Sequence, residues 1–438
     1  MNCRTIINFY AAKKEHFINV SSFFINRIFS LLMFAGTTSI FINRAGNEIY
    51  GILTMLLLIF NYISIADLGM GYAVGYRLTR AISRRNYSYA TKILQHAFPF
   101  YICMALLSSL VVFAFCTELS RLFTKTGAYS FIYKVISLSI FPLILDSIVL
   151  MVMQSYNKIY LVNLSRFLFD LFRSVPLLLV IILKKDLLVT IIIVIAIGCY
   201  LKLFIDIYIC YRIMGSNRWL KPIFAYKELL FNIRYGIPMV LALILWMAIS
   251  SLDKFYITKF MTMEKLAFYS VALDLNVKAW FLIWAVTGSL QTVLIRRNVL
   301  RKNTYDIHKI LLLSVMAIFA LYYIPLILFS KQILTLWINA KFAENSYKIT
   351  RILSFASLFY MLYAVKHIYL QAYGKFATIV YIYLIGIVLL FISLCLLPKY
   401  FELEGVAMSY VITYAVFAIA AMVSLKKSAT INAFSSCP

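Results

Sequence analysis

The stretch "IADLGMGYAVGYRLTRAISRR", residues 65–85, leaves an apolar segment and becomes strongly basic within a dozen positions. The apolar run before it, 49–66, is close to the length of a membrane-spanning helix. Basic residues collect in the cytoplasmic loops of membrane proteins. The stretch therefore predicts a helix that crosses a membrane and then a cytoplasmic loop over 67–92.

The composition of the whole chain agrees with this interpretation. Of the 438 residues, 63% are hydrophobic and only 13% are charged, whereas soluble domains are about 45–50% apolar and about 25% charged. The apolar runs are continuous rather than alternating, so they predict helices and not a β-barrel. We predict an all-α, polytopic membrane protein with about twelve spans, at roughly 17–41, 49–66, 93–117, 130–153, 163–183, 187–211, 235–258, 266–291, 310–330, 350–370, 378–397 and 405–425.

The chain divides into two halves of six predicted helices. The longest basic connector, 212–234, separates an N-terminal lobe over 1–211 from a C-terminal lobe over 235–438. Similar short patterns, "GNEIYG" and "MEKLAFYS", lead into the second and the eighth predicted helix, as in transporters built from parallel repeats. The sequence thus predicts two related lobes.

The distribution of Lys and Arg predicts the orientation. With the N-terminus inside, the inner segments hold about 22 basic residues and the outer loops about 11. Both termini are therefore expected in the cytoplasm. The net charge of +26 lies in short loops between apolar runs, so it favours membrane lipids and an anionic, lipid-bound partner over nucleic acid.

The motifs of soluble enzymes are missing from the sequence. Gly69, Gly71 and Gly75 do not fit a dinucleotide fingerprint, and the last two form a GxxxG that favours close helix packing. The seven cysteines and four histidines form no cluster with ligand spacing. We expect no catalytic residue, no metal and no cofactor.

Charged residues inside the predicted membrane spans are the strongest functional candidates, because burying a charge in lipid is costly. Arg27 lies near the middle of the first span with no carboxylate within one helical turn. It needs a partner on another helix or an anionic ligand. Asp146 is also unpaired along its own helix, and we expect it to bind a proton or a coupling cation.

Other membrane charges have local partners at helical spacing, which neutralises them. The sets with helical spacing are Arg166, Asp170 and Arg173; Lys202 and Asp206; and Asp274 and Lys278. Asp253 and Lys254 are an exception, because adjacent residues point roughly 100° apart on a helix and do not form a simple pair.

Three stretches resemble a known family when taken in order. They are "FINRAGNEIYGILTMLLLIFNYISIADLGMGYAV" at 41–74, "YGIPMVLALILWMAISSLDKFYITKFMTMEKLAFYSVA" at 235–272 and "LEGVAMSYVITY" at 403–414. Because these stretches occur in this order and on both sides of a basic middle loop, the chain resembles the Wzx-type polysaccharide flippases of the MOP (multidrug/oligosaccharidyl-lipid/polysaccharide) exporter superfamily. The likeness extends over nearly the whole chain.

The resemblance implies a V-shaped fold with a central cavity between two six-helix lobes. It also implies the cargo, a polyprenyl-pyrophosphate-linked oligosaccharide repeat unit. The unit would cross the bacterial inner membrane to the periplasmic face for O-antigen, capsule or exopolysaccharide biosynthesis. A polysaccharide polymerase and a chain-length regulator are further partners expected on this likeness.

The resemblance also implies which residues contact the cargo. In the family, helices one, two, seven and eight line the cleft. The implied substrate-binding residues are Arg27, Asp253, Lys254, Asp274 and Lys278, and the implied cytoplasmic gate consists of Asp67, Arg77 and Arg80.

Two other functions stay open at the level of the sequence. A multidrug or cation antiporter of the same superfamily would be expected to carry a carboxylate-rich aromatic cavity, whereas cations dominate the membrane charges here. A membrane polymerase or acyltransferase would be expected to carry a large outer loop or paired acid and base residues.

Overall fold

The computed structural model describes residues 3–62, 67, 70–124, 127–183, 187–299, 303–373 and 375–434. In parts of the helices, including 3–17, 175–183, 233–239 and 426–434, it describes the backbone alone. No strand occurs among these residues, and the α-helices are α1 (Cys3–Ala45), α2 (Asn47–Tyr62), α3 (Met70–Ser83), α4 (Tyr87–Ala114), α5 (Cys116–Thr124), α6 (Ser130–Ser155), α7 (Ile159–Leu183), α8 (Leu187–Met214), α9 (Tyr226–Ile249), α10 (Leu252–Phe260), α11 (Met263–Val299), α12 (Tyr305–Ile318), α13 (Ile324–Leu328), α14 (Ser330–Trp337), α15 (Ala340–Ala372), α16 (Phe376–Leu396) and α17 (Pro398–Phe434).

These helices make the protein a multi-pass membrane protein, and the all-α class predicted from the sequence is confirmed. Ten of the described helical segments are long and apolar enough to cross a bilayer. Two of the twelve predicted spans are not among them. One corresponds to α2, for which an apolar helix is described over Asn47–Phe60, while residues 63–66 of the predicted span lie outside the described residues. The other corresponds to α7, whose side chains at 175–183 lie outside the described residues.

The helices form two compact units. The first unit consists of residues 1–44 and 56–240, and the second of residues 45–55 and 241–438. In the first unit, α6 packs against α4 and α8, and α3 packs against α4 and α6. In the second unit, α15 packs against α11 and α17, and α16 packs against α17.

The basic connector at 212–234 is a packed part of the first unit. The Trp219 ring is fully buried and meets Phe98 of α4 edge to face, with ring centroids 6.1 Å apart. Backbone and side-chain hydrogen bonds join the same two segments: Ile223 N–H donates to the Gln95 carbonyl at 3.0 Å, and the Gln95 amide donates to the Arg218 carbonyl at 2.9 Å. The connector therefore fixes the start of α9 beside α4.

A break at 250–251 separates α9 from α10 in the second unit. The hydroxyls of Ser250 and Ser251 both donate to the Met247 carbonyl, at 3.0 and 2.8 Å. Serine hydroxyls that bond to the preceding turn compete with the backbone ladder and bend helices. The break places the aromatic residues of α9 and the charged pair of α10 on separate helices.

Candidate functional site

A cavity of about 780 Å³ lies in the first unit between α3, the start of α4 and the start of α9. This volume is within the range of about 300–1,000 Å³ that is typical of ligand sites. Its charged lining has four cations and one carboxylate: Arg77, Arg80, Arg84, Lys227 and Glu228. We call it the basic cavity.

The helical repeat brings three arginines to this cavity. Arg77, Arg80 and Arg84 are spaced i, i+3 and i+7 along α3 and the turn that ends it, and such spacing puts side chains on one face. The turn closes at Arg85, which has a positive φ of 57°. Asn86 then starts α4, since its side chain accepts a hydrogen bond from Tyr89 N–H at 3.0 Å.

Arg77 is the centre of the polar contacts in the basic cavity. One terminal nitrogen lies 2.7 Å from the Glu228 carboxylate and donates to the Asn232 side-chain oxygen at 3.0 Å. The other terminal nitrogen donates to the Tyr89 hydroxyl at 3.0 Å, and the guanidinium lies 5.4 Å from the Phe231 ring centroid. Arg77 thus ties α3 to α4 and α9.

The charge of Arg77 is secured by these contacts. Burial alone would lower the pKa of Arg77, but the hydrogen bonds to Tyr89 and Glu228 and the charge of Glu228 raise the pKa above its ordinary value. Arg77 is therefore cationic at any physiological pH, and its charge is balanced by Glu228.

The other three cations of the cavity are not neutralised. The side chains of Arg80, Arg84 and Lys227 form no ion pair and no hydrogen bond within the part of the chain that the structure describes. Both arginines and Lys227 are exposed. Among the described lining residues the single carboxylate, Glu228, is engaged by Arg77, so the basic cavity attracts anions.

Asp67 has structural contacts at the start of α3. Its side chain accepts a hydrogen bond from Gly71 N–H at 3.3 Å, and its carbonyl accepts one from Met70 N–H at 2.8 Å. A carboxylate at this place favours the N-terminus of α3. Its role in a gate stays a prediction, as do those of Arg77 and Arg80, which the structure brings together in the basic cavity.

A buried ionic network lies in the membrane helices of the first unit. Lys202 of α8 forms ion pairs with Asp146 of α6 and, at 2.9 Å, with Asp206 one turn along its own helix. The Ser165 hydroxyl of α7 donates to the same Asp206 oxygen at 2.6 Å. Asp146 therefore has a partner on another helix, which sequence spacing along α6 could not reveal.

One negative charge of this network is left without a cation. Two carboxylates share the single ammonium of Lys202, and the second oxygen of both Asp146 and Asp206 is buried without a hydrogen-bond partner. The network therefore has the composition of a proton-binding site. Ion coupling at Asp146 stays a prediction.

Arg27 lies on α1 in the first unit, half-buried, and interacts electrostatically with Arg166 of α7. Asp170, one turn beyond Arg166, contributes the opposite charge. The side chain of Arg173 lies outside the described residues. The positive charges of Arg27 and Arg166 repel each other, so the set that was predicted to neutralise itself on α7 has an additional cation from α1. Substrate binding by Arg27 stays a prediction.

The four other predicted substrate contacts lie in the second unit. Asp253 is fully buried, with both carboxylate oxygens outside hydrogen-bonding geometry, and Lys254 is 9% exposed. The hydroxyls of Tyr269 and Tyr410 lie near Asp253. Asp274 and Lys278 are half-buried one turn apart on α11. These four residues are not among the described residues that line the basic cavity, and their role in binding stays a prediction.

The second wall of the basic cavity was not predicted from the sequence, and it consists of Tyr89, Lys227, Glu228 and Phe231. Asn232, which accepts a hydrogen bond from Arg77, was not predicted either. A signal existed in the segment "YKELLFNIR" at 226–234, where i, i+4 spacing puts Lys227 with Phe231 and Glu228 with Asn232. This segment reaches the cavity because the connector packs on α4, and the spacing of residues along the sequence does not predict that packing.

Comparisons with known proteins identify the fold. The sequence matches no family model and no curated protein. In structure, the chain is similar to an inward-facing multidrug resistance MATE transporter of the MOP superfamily, with a TM-score of 0.78 at 14% identity over 94% of this chain and 100% of that one. The chain has the fold of the MOP transporters.

Two further solved structures share this fold. The lipid II flippase MurJ in an inward closed conformation matches with a TM-score of 0.74 at 15% identity, over 92% of this chain and 87% of that one. A MOP superfamily transporter from Pyrococcus furiosus, described as having a binding pocket of reverse polarity, matches with a TM-score of 0.69 at 15% identity over 96% of both chains. These neighbours are transporters and not enzymes.

The ionic network predicts a strong effect of removing its cation. Lys202→Met strands two buried carboxylates, and breaking a buried ion pair from one side costs about 3–5 kcal/mol. We expect a clearly lower unfolding temperature for the purified protein in detergent. Lys331→Met, which breaks an exposed pair with Glu344, is the matched control and leaves the unfolding temperature unchanged. Equal stability of Lys202→Met and the wild type would contradict the importance of this network.

Proposed function

We propose that the protein is a flippase that carries polyprenyl-pyrophosphate-linked oligosaccharide repeat units across the bacterial inner membrane, from the cytoplasmic to the periplasmic face. The product would feed O-antigen, capsule or exopolysaccharide synthesis. The observation that carries this proposal is the basic cavity, in which three cations are not neutralised and aromatic side chains adjoin them.

The chemistry of the basic cavity suits a pyrophosphate. Arg80 and Arg84 each offer a planar fork of donors that matches two phosphate oxygens, and Lys227 adds a mobile point charge. The Tyr76 and Phe231 rings provide apolar surface in the same lining, where the first prenyl units could lie. A cavity of about 780 Å³ has room for a head group of this size.

The MOP fold is compatible with a lipid-linked cargo, since one of the structures that share it is described as a lipid II flippase. Another neighbour is a multidrug transporter, so the fold alone does not choose between the two cargoes. The charge of the basic cavity favours the anion. A site for cationic drugs requires a carboxylate that can meet the drug, and the only carboxylate of this lining is held by Arg77 at 2.7 Å.

The direction of transport follows from the membrane potential. Moving two negative charges outward across an inside-negative membrane gains roughly 4–5 kcal/mol per 100 mV. If the network of Asp146, Lys202 and Asp206 takes up a proton, that proton would be an ion coupled to transport of the lipid. A polysaccharide polymerase and a chain-length regulator are the proposed partners after release, together with the surrounding membrane lipids.

The proposal predicts which arginines capture the lipid. Arg80→Gln/Arg84→Gln removes two unpaired cations, and charge-assisted hydrogen bonds contribute about 1.5–3 kcal/mol each, so we expect binding at least tenfold weaker. Undecaprenyl pyrophosphate is the probe, titrated by calorimetry into purified protein in detergent, with undecaprenol as the ligand that lacks phosphate.

A matched variant removes the same charge outside the cavity. Arg121→Gln/Lys341→Gln changes two exposed cations on other helices and is expected to bind the pyrophosphate lipid like the wild type. Equal binding by the cavity variant and the wild type, or equal affinity for undecaprenol and undecaprenyl pyrophosphate, would contradict the proposal.

The proposed orientation has a direct test by labelling. In a cysteine-free variant, a cysteine introduced by Arg84→Cys is expected to react with a membrane-impermeant maleimide only after the membrane is opened, because the loop at 67–92 is predicted to be cytoplasmic. Thr262→Cys, on the opposite predicted side, serves as the control that reacts in intact cells. Labelling of the cysteine at 84 in intact cells would reverse the topology.

A further inference from the structure

A second pocket, of about 280 Å³, lies within the second unit between α9, α11, α15 and α16. Its volume is at the small end of ligand sites, below that of typical drug pockets of about 300–1,000 Å³. Its wall is mainly aromatic and includes Trp246, Trp284, Tyr360, Tyr363, His367 and Tyr383. We call it the aromatic pocket.

The rings of the aromatic pocket hold one another in place. The Trp246 ring centroid lies 5.8 Å from that of Tyr360 and 5.7 Å from that of Tyr383. Tyr360 is in turn stacked on Trp280 at 3.7 Å. The Trp284 indole N–H donates to the Tyr360 hydroxyl at 3.1 Å. Trp284 is therefore oriented although 43% of it is exposed, so it presents a fixed ring face.

Polar groups accompany these rings. The Tyr363 hydroxyl lies near that of Tyr383 but outside hydrogen-bonding geometry, and it is buried with no partner. The whole Tyr363 residue is only 2% exposed. The Thr287 hydroxyl donates to the Trp284 carbonyl at 3.2 Å, which leaves its oxygen lone pairs available as acceptors. The Gln371 amide also lines the pocket. A buried hydroxyl without a partner is costly, and a polar ligand would relieve that cost.

The charge of the lining argues for a neutral ligand. Aromatic cages bind organic cations through the ring faces, but a cation taken out of water also needs a nearby anion. Among the described residues that line the aromatic pocket there is no Asp, Glu, Lys or Arg. Rigid ring faces, hydroxyl and amide groups and the absence of lining charge together match a sugar ring. A pyranose has an apolar face of C–H bonds, which carry partial positive charge toward an aromatic face, and a rim of hydroxyls.

We propose that the aromatic pocket binds one pyranose ring of the transported oligosaccharide, with its C–H face on Trp284 or Trp246 and its hydroxyls hydrogen-bonded to Tyr363, Thr287 and Gln371. This proposal rests on the proposed function, and it assigns the sugar and the pyrophosphate of the cargo to different sites. The aromatic pocket recognises the glycan, and the basic cavity recognises the lipid phosphate.

The test uses sugars without lipid or phosphate. Methyl glycosides of glucose, galactose, N-acetylglucosamine, N-acetylgalactosamine, mannose and rhamnose are titrated against the purified full-length protein, and binding is followed by saturation-transfer-difference NMR. We expect saturable binding of at least one glycoside to the wild type. Trp284→Ala is expected to abolish it, because that substitution removes the exposed ring face, while Tyr360 keeps its stacking on Trp280.

A conservative variant separates binding from folding. Tyr363→Phe keeps the ring and removes only the unpartnered hydroxyl. We therefore expect an unfolding temperature no lower than that of the wild type, because a costly buried group is lost, and glycoside binding about three- to tenfold weaker. Tyr381→Phe is the matched control, because Tyr381 lies two residues from Tyr383 on α16 and is 65% exposed. Its glycoside affinity is expected to equal that of the wild type.

Two results would overturn the assignment of the aromatic pocket. One is that none of the six glycosides binds. The other is that tetraphenylphosphonium binds in a saturable way, that Trp284→Ala abolishes this binding, and that no glycoside competes with it.

Titration of undecaprenyl pyrophosphate into the same variants separates the two proposals. If Trp284→Ala and the wild type bind that lipid equally while no glycoside binds, the assignment of the pocket fails and the proposed function stands. If glycosides bind and undecaprenyl pyrophosphate does not, the pocket is a sugar site and the proposed function fails.

Discussion

The high cost of an unpaired charge in a membrane governs the arrangement of polar groups in this protein. Hydrocarbon offers no water to a charged side chain, so such a group is costly unless it finds a partner inside the helix bundle. Lys202 meets this requirement by binding the carboxylates of Asp146 and Asp206. The exposed cations Arg80, Arg84 and Lys227 instead lie at helix ends in the basic cavity, where water or an anionic ligand can solvate them. The contrast distinguishes charges that stabilise the bundle from charges that are available for a ligand.

The fold class could be predicted from the sequence because transmembrane helices leave a strong local signal. Continuous apolar runs of about 20 residues occur in almost every position where the structure has a long helix. Contacts between helices leave no such signal. Asp146 has no basic residue within one turn, and its partner Lys202 lies 56 positions away on α8. Spacing along one helix therefore identified the charge without its partner.

The same limit applies to the candidate site. Arg77 and Arg80 could be predicted in a cytoplasmic loop because they follow the second predicted span, and the family resemblance implied their role in a gate. Their contacts Glu228 and Asn232 come from a segment more than 140 residues later. They reach Arg77 because the buried Trp219 fixes the connector on α4. The aromatic pocket carried a local signal that spacing could have revealed: Tyr360, Tyr363 and His367 are spaced i, i+3 and i+7 on α15. In a chain with 16% aromatic residues, that spacing is difficult to distinguish from ordinary packing.

The most direct test of the account is transport by the purified protein in liposomes. A polyprenyl-pyrophosphate-linked oligosaccharide with a fluorophore on its sugar is placed in both leaflets, and dithionite bleaches only what reaches the outer one. We predict that the protein exposes the inner-leaflet lipid to bleaching and that Arg80→Gln/Arg84→Gln slows this exposure. Two observations made together would contradict the proposed function. The inner-leaflet fluorescence is retained in liposomes that contain the protein, and the same liposomes export an organic cation such as ethidium.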